Sequence, residues 1–310
     1  MSYSTTIPRM VGLAGSSAII TAAFKGLMRF YRLSLSDLKL KKEALPQKIL
    51  DIEANELGIN AGLQDRVIQV YGGLVHMNFD SKLIKTQGHG DYTSLDPKLL
   101  PTMYLAWNTT VAEESGKVHS TAKQRWIKGE KLIVDGMKEV GSFADEARAV
   151  LVGNAPEKLA ELMQRNFAIR RKMYGDAVVG ERNIELVLLA KKYGMAAKFS
   201  GSGGAVVCLR IVNKNKKTQQ NRKEDETDPF AFSEAEENKI RLSFISKGYE
   251  FAKIHPNLSA NEPEVGFNIR RSTSYFSVGD DAAANAAAPT QHATKSRLPT
   301  AKSGVVLQID

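Results

Sequence analysis

The chain has 310 residues, of which 43% are hydrophobic and 25% charged, and this composition is typical of a folded globular protein. No run of residues reaches the roughly 18 uncharged apolar positions that a membrane span requires, so no membrane partner is expected. The formal net charge of +9 raises the question of nucleic acid, but Lys and Arg are scattered along the chain, and nucleic acid is not expected as a partner. The single cysteine, Cys208, fits a reducing compartment, so the predicted location is cytoplasmic.

Hydrophobic periodicity and the positions of Gly and Pro predict alternating strands and helices. Strands are predicted at residues 2–7, 74–79, 103–107, 196–199, 205–211 and 249–254. Helices are predicted at residues 18–31, 45–57, 63–71, 120–140, 142–151, 156–174, 183–193 and 233–247. This order predicts an α+β chain with two lobes. Residues 257–310 are rich in Ala, Ser, Thr, Asn and Pro, and they are predicted to form a disordered tail.

A glycine-rich turn follows the first predicted strand and opens the first predicted helix. A turn of this kind can direct free backbone N–H groups and the positive end of the helix dipole at an anion. The P-loop pattern GxxxxGK[ST] is absent, so the site is not of the Walker type. An ordinary serine cap after a glycine turn remains the structural alternative. The candidate phosphate-binding residues are Gly12, Leu13, Gly15, Ser16 and Ser17.

Two acidic residues, Glu53 and Asp65, lie on either side of a predicted helix end and a glycine-containing turn. This spacing allows one carboxylate to bind a cation and the other to orient or deprotonate a hydroxyl, as phosphoryl transfer requires. The alternative is that Glu53 lies on a helix surface and that Asp65 pairs with Arg66.

A second glycine run, Lys198-Phe199-Ser200-Gly201-Ser202-Gly203-Gly204-Ala205, lies between two predicted strands. Such a run is either a simple turn or a second cradle for phosphate or substrate. Its candidate ligand-binding residues are Gly201, Gly203 and Gly204.

Taken together and in this order, the three segments resemble the second motif, the acidic pair and the third motif of the GHMP family of small-molecule kinases. Longer stretches are similar to the glucuronokinase branch of that family, namely residues 62–77, 115–120, 124–126, 137–142 and 198–207. The resemblance covers residues 2–254 and implies the two-lobed GHMP kinase fold. It assigns residues 1–110 to the N-terminal domain, 111–256 to the C-terminal domain and 257–310 to the tail.

The resemblance also implies cofactors and residue roles. ATP and Mg²⁺ are the expected cofactors, with Ser17 and Glu53 holding the metal and both glycine runs contacting ATP. Asp65 is expected to accept or orient the proton of the C1 hydroxyl of the sugar. The implied reaction is ATP-dependent phosphorylation of D-glucuronic acid to its 1-phosphate, so the expected partner is a small-molecule sugar acid.

Four basic residues are candidates for binding the carboxylate of such a substrate. They are Lys117, Arg125, Arg170 and Arg171. Arginine suits this role best because its guanidinium matches both oxygens of a carboxylate. Each residue has a surface or packing role as its alternative.

The sequence departs from the family pattern in two places. Ala14 makes the first glycine turn one residue longer than is usual. In addition, nothing corresponds to the first family motif, and Met1 falls where the family would already be in the middle of a domain. We therefore expect the chain as written to be an incomplete kinase with little or no activity.

Three rival functions remain at this stage. The chain resembles a family that also acts on other sugars and uronic acids, so another acceptor is the nearest rival. A catalytically dead fold that binds only a ligand or partner is the second, and it is favoured by the missing motif. A nucleic-acid-binding module is the third, because the chain is basic.

Overall fold

The computed structural model describes residues 2–58, 61–109, 122, 124–201, 203–212, 228–255 and 306–309. The elements up to residue 109 are β1 (Ser2–Thr5), α1 (Gly15–Phe30), α2 (Leu45–Asp51), α3 (Leu63–Tyr71), β2 (Leu74–Asn78), α4 (Ser81–Gln87), β3 (Asp91–Leu95) and β4 (Tyr104–Asn108). The later elements are α5 (Lys131–Val152), α6 (Leu159–Tyr174), α7 (Asp176–Val179), α8 (Glu181–Lys192), β5 (Met195–Phe199), β6 (Ala205–Arg210), α9 (Glu234–Ile245), β7 (Tyr249–Lys253) and β8 (Val306–Ile309).

The central feature is a four-stranded antiparallel sheet in the order β5-β6-β4-β7. Tyr104 on β4 lies opposite Cys208 on β6 and Lys253 on β7. Strands β5 and β6 form a hairpin in which Phe199 pairs with Val206. The turn of this hairpin is therefore the second glycine run of the sequence.

The two faces of this sheet bury separate hydrophobic clusters because neighbouring residues of a strand point to opposite faces. Ala197 and Cys208 belong to a cluster that α8 and α9 cover, whereas Ala196 and Leu209 belong to a cluster that α5 and α6 cover. Tyr104 stacks on Phe251 within the first cluster, with ring centroids 5.1 Å apart. Burial raises the pKa of the Cys208 thiol, which is fully enclosed, so this cysteine is an unreactive part of the core.

A third cluster joins the N-terminal helices. Leu45, Ile49 and Val70 are buried between α1, α2 and α3. At its C-terminal end α2 continues into one π-helical turn, Ile52–Glu56, and such turns occur frequently at functional sites. This packing holds the first turn of α1 beside the π turn that carries Glu53 and beside α3.

The structure confirms the predicted strands and most helices to within a few residues. The predicted helices 120–140 and 142–151 are wrong as a pair, because the chain turns at Gly129 and then runs as one helix from Lys131 to Val152. Gly141 and Ser142 lie inside this helix, since packing overrides the weak helix propensity of single residues. Helix α4 and strand β3 were not predicted. Asp80 caps α4 by accepting hydrogen bonds from the backbone N–H groups of Lys82 and Leu83.

The predicted tail and domain boundary fall largely outside the described residues. Of residues 257–310, the structure describes only Val306–Ile309, which pair in parallel with β1. The predicted boundary between residues 110 and 111 also lies outside the described ranges. Within those ranges, no helix is long and apolar enough to cross a membrane.

Candidate functional site

The two glycine runs lie against each other in the structure. The Ser200 hydroxyl donates a hydrogen bond of 3.1 Å to the carbonyl oxygen of Gly12. A Cβ atom placed on Gly12 would lie 2.5 Å from the Gly203 carbonyl oxygen, and one placed on Gly201 would lie 2.9 Å from the Gly12 carbonyl oxygen. Both separations are shorter than a side chain tolerates. The two runs therefore form one surface whose assembly requires glycine.

Backbone conformation adds to this requirement. Gly12 has a φ of 72° and Gly204 has a φ of 84°, and both values lie in the left-handed region that side chains disfavour. The hairpin turn is also held from behind by Asn183 on α8, whose Oδ1 accepts a 2.8 Å hydrogen bond from the Gly204 N–H. Sequence analysis missed Asn183, because nothing local marks a helical asparagine as the support for a distant turn.

The N-terminus of α1 is left open for a ligand. Among the described residues no side chain caps this helix, and its first turn contains no acidic residue. Ala14, the extra residue of the turn, has a φ of 59°, and Met10 has a φ of 58°. Left-handed conformations of non-glycine residues carry strain of about 1–3 kcal/mol each and cluster at functional sites. The turn therefore has the features of an anion-binding loop.

Glu53 is completely buried beneath this loop. Its Oε1 accepts a 2.8 Å hydrogen bond from the hydroxyl of Ser16, and its Oε2 accepts from Nε and Nη2 of Arg66. The alternative that Glu53 lies on a helix surface is thereby excluded. Ser17, which the sequence paired with Glu53, is buried and donates instead to the Ala14 carbonyl oxygen at 2.8 Å.

Asp65 lies in the first turn of α3, and its side chain is 52% exposed. Its Oδ2 is 3.6 Å from Nη1 of Arg66, and the same Nη1 donates to the Gly62 carbonyl oxygen at 2.8 Å. Arg66 therefore links Asp65 to Glu53, whereas the sequence suggested only the pairing with Asp65. The remaining exposure leaves the Asp65 carboxylate accessible to a ligand.

The four predicted carboxylate-binding cations separate into different environments. Lys117 lies outside the described residues. Arg125 is paired with Glu130 and donates to the Met173 carbonyl oxygen at 2.7 Å, whereas Arg171 is paired with Asp176. Arg170 differs, because it forms no ion pair with any described residue and donates to the Gly201 carbonyl oxygen at 2.9 Å. Of the three candidates that the structure describes, Arg170 is thus the one that contacts the surface formed by the two glycine runs (the glycine surface).

A second cation, Lys198, lies beside Arg170. Its Nζ donates to the Phe199 carbonyl oxygen at 2.8 Å. Burial lowers the pKa of Lys198 to about 8, and the positive charge of Arg170 contributes further to this decrease. Burial also lowers the pKa of the Arg170 guanidinium. Two half-buried cations therefore adjoin the same turn without a described acidic partner.

Comparison with known proteins agrees with this geometry. Residues 1–73 match the GHMP kinases N terminal domain. The chain is 50% identical over 207 residues to Glucuronokinase 1 of Arabidopsis thaliana and 49% identical over 208 residues to Probable glucuronokinase 2 of the same plant. Each match covers 67% of this chain and 56% of the relative, so the chain spans little more than half the length of these curated relatives.

The fold is also similar to that of solved kinases. The Methanococcus jannaschii mevalonate kinase superposes with a TM-score of 0.54 at 15% sequence identity, covering 81% of this chain and 66% of that structure. At this identity the similarity concerns the fold alone. It confirms the predicted α+β class of the sequence analysis.

We predict that Gly12→Ala lowers the free energy of unfolding by about 1–3 kcal/mol, because it adds left-handed strain and a clash with the Gly203 carbonyl. Denaturant titration measures the change. The matched control is Gly62→Ala, since Gly62 has an extended backbone and an added Cβ would meet nothing within 4 Å. Equal stability of the Gly12→Ala variant and the unmodified chain would show that the two glycine runs do not make this contact.

Proposed function

We propose that this chain, which belongs to the GHMP kinase family, is an ATP-dependent sugar-1-kinase that phosphorylates D-glucuronic acid at its anomeric hydroxyl. The observation that carries the proposal is the contact between the two glycine runs above the buried carboxylate of Glu53. The accessible carboxylate of Asp65 is linked to Glu53 through Arg66. The identity to two plant glucuronokinases supports the choice of substrate. The proposed location is the cytoplasm, whose reducing conditions suit the unpaired Cys208.

The proposed nucleotide site is the glycine surface. The open first turn of α1 presents backbone N–H groups and the positive end of the helix dipole, which favour phosphate. Gly12, Leu13, Gly15, Ser16 and Ser17 form one wall, and Gly201, Gly203 and Gly204 form the other. Glycine at the contact points lets the backbone approach the phosphates closely, and positioning of this kind supplies most of phosphoryl-transfer catalysis.

The residues beneath the loop fit a magnesium ion. Mg²⁺ prefers oxygen ligands and is usually held by one or two carboxylates together with substrate phosphates and water. No group of three or more His, Cys, Asp or Glu side chains converges within the described ranges. We propose Glu53 as the carboxylate ligand, with a hydroxyl from Ser17, as the sequence suggests, or from Ser16, which contacts Glu53. The ion would offset negative charge on the phosphates.

Asp65 is the proposed catalytic residue. Its half-exposed carboxylate can reach a ligand hydroxyl, and the adjacent guanidinium of Arg66 fixes its position. We propose that Asp65 accepts or orients the proton of the C1 hydroxyl while that oxygen attacks the terminal phosphate of ATP. Arg170 is the proposed contact for the sugar carboxylate, because Arg125 and Arg171 are already paired with acids.

The decisive assay compares acceptors. The purified 310-residue chain is incubated with ATP and Mg²⁺ in the presence of glucuronic acid, galacturonic acid or galactose, and sugar 1-phosphate is measured. We expect glucuronic acid to have the highest kcat/KM of the three acceptors. The ranking of the acceptors does not depend on how active the chain is overall. Preference for another acceptor would replace the proposed substrate. Nucleotide binding without turnover of any acceptor would instead favour a catalytically dead ligand-binding protein.

Asp65→Asn is expected to lower kcat by about 10²- to 10⁴-fold, because general-base assistance is lost, while ATP affinity stays nearly unchanged. Glu56→Gln is the matched control, since Glu56 is an exposed acid on the neighbouring π turn. Steady-state kinetics and ATP binding are measured for both variants. A normal rate for Asp65→Asn would end the base assignment.

The metal proposal predicts that Glu53→Gln, together with either Ser16→Ala or Ser17→Ala, raises the Mg²⁺ concentration needed for half-maximal activity. If Ser17 is the ligand instead of Ser16, Ser17→Ala shows this effect and Ser16→Ala does not. Rates are therefore measured across a magnesium titration for all three variants. A uniform fall in rate at low and at saturating magnesium would show that none of these residues binds the metal.

A further inference from the structure

The strongest unexplained feature of the described residues is a pair of cations beside the hairpin turn. Lys198 is the penultimate residue of strand β5, directly before Phe199, and Arg170 reaches the same turn from helix α6. Their hydrogen bonds go to the carbonyl oxygens of Phe199 and Gly201, two residues apart along the chain. The Arg170 guanidinium also lies 5.4 Å from the centre of the Phe199 ring. Both charges are therefore fixed against one short segment.

This segment is part of the glycine surface. Ser200, between the two acceptor residues, donates to the Gly12 carbonyl oxygen, and Gly201 contacts the same carbonyl group. The cation pair thus adjoins the point where the two glycine runs meet. A ligand that occupies the surface would come close to both charges.

The pair is unfavourable to the folded chain when no ligand is bound. Burying a charge costs free energy unless an opposite charge or hydrogen bonds compensate it, and two like charges side by side add repulsion. Neither residue has an acidic partner within the described ranges, whereas the neighbouring Arg165 and Arg171 on α6 both have one. Each cation uses one described hydrogen bond to a carbonyl oxygen and keeps further N–H donors available.

Other groups around Lys198 do not remove this cost. Its partner on the adjacent strand is the apolar Val207. Burial and Arg170 are the influences that lower its pKa, and Tyr174 is the other titratable group that acts on Arg170. A ligand oxyanion would supply the compensating charge.

We propose that Lys198 and Arg170 together bind one oxyanion group of the ligand, either the carboxylate of the sugar acid or a phosphate of the nucleotide. The inference rests on the proposed function for the choice of these two ligands. Arg170 remains charged at all accessible pH values, whereas burial lowers the pKa of Lys198 to about 8. Binding of the oxyanion is therefore strong when Lys198 is protonated and weakens as pH rises through about 8.

The test measures binding rather than turnover, so that it does not depend on the kinase assay. Calorimetric titrations of the full chain with glucuronate, glucose, ATP and inorganic phosphate are compared at pH 7 and pH 9. For the oxyanion that the pair binds, the Kd should rise about tenfold between these pH values, because the protonated fraction of Lys198 falls by about that factor. Glucose, which lacks an anionic group, should show no such change.

Variants separate a binding role from a structural one. Lys198→Met should weaken binding of the oxyanion at pH 7 and abolish its pH dependence, while Lys198→Arg should retain binding at pH 9. Lys198→Met should also melt at a higher temperature than the unmodified chain at pH 7, since it removes a buried charge. This gain should shrink as pH rises from 8 towards 10.5, where lysine is neutral in both the folded and the unfolded state.

Arg165→Gln is the matched control for Arg170→Gln, because Arg165 lies on the same helix with its charge paired to Glu146. Loss of glucuronate affinity alone in the Arg170 and Lys198 variants identifies the carboxylate, and loss of ATP and inorganic phosphate affinity identifies a phosphate. Binding of inorganic phosphate that depends on both residues would support the pair even if no sugar were phosphorylated. Affinities for all probes that are independent of pH and unchanged in the Lys198→Met variant would overturn the proposal.

Discussion

The arrangement of the site depends on one buried ion pair, between Glu53 and Arg66. Glu53 is fully enclosed, and Arg66 is almost as inaccessible. Their contact joins the π turn, α1 and α3. Glu53 lies on the π turn and also accepts a hydrogen bond from Ser16 at the start of α1. Arg66 lies in the first turn of α3, directly after Asp65. Removing one partner of a buried pair typically costs 3–5 kcal/mol because the other charge remains uncompensated. The pair therefore fixes the first glycine turn and the proposed base relative to each other.

Local sequence was sufficient to locate the glycine runs and the two acids, because turns, caps and amphipathic periodicity are properties of neighbouring residues. The contacts among these segments could not be predicted in the same way. Arg66 was assigned to adjacent Asp65, whereas its buried partner is Glu53, thirteen residues earlier. Likewise Ser16, rather than Ser17, contacts Glu53. Such pairings follow from packing between helices, which a single sequence does not specify.

The same limit applies to the cations. Sequence reasoning ranked Arg125, Arg170 and Arg171 together, since the guanidinium of each matches both oxygens of a carboxylate. Only the folded chain shows that two of them are occupied by nearby acids. Lys198 was regarded as part of a glycine motif, and its burial beside Arg170 becomes visible once β5 is packed under α6. Charge that is buried without compensation favours ligand binding at the expense of stability, and this trade-off is common at functional sites.

The central claim is that the two glycine runs act as one nucleotide-binding surface. Hydrogen exchange of the full chain, measured with and without ATP and Mg²⁺, tests this most directly. The account predicts that amides in residues 12–18 and in residues 198–205 exchange more slowly together when the nucleotide is present, while those of Glu234–Ile245 on α9 stay unchanged. Slower exchange confined to one of the two runs, or absent from both, would contradict it.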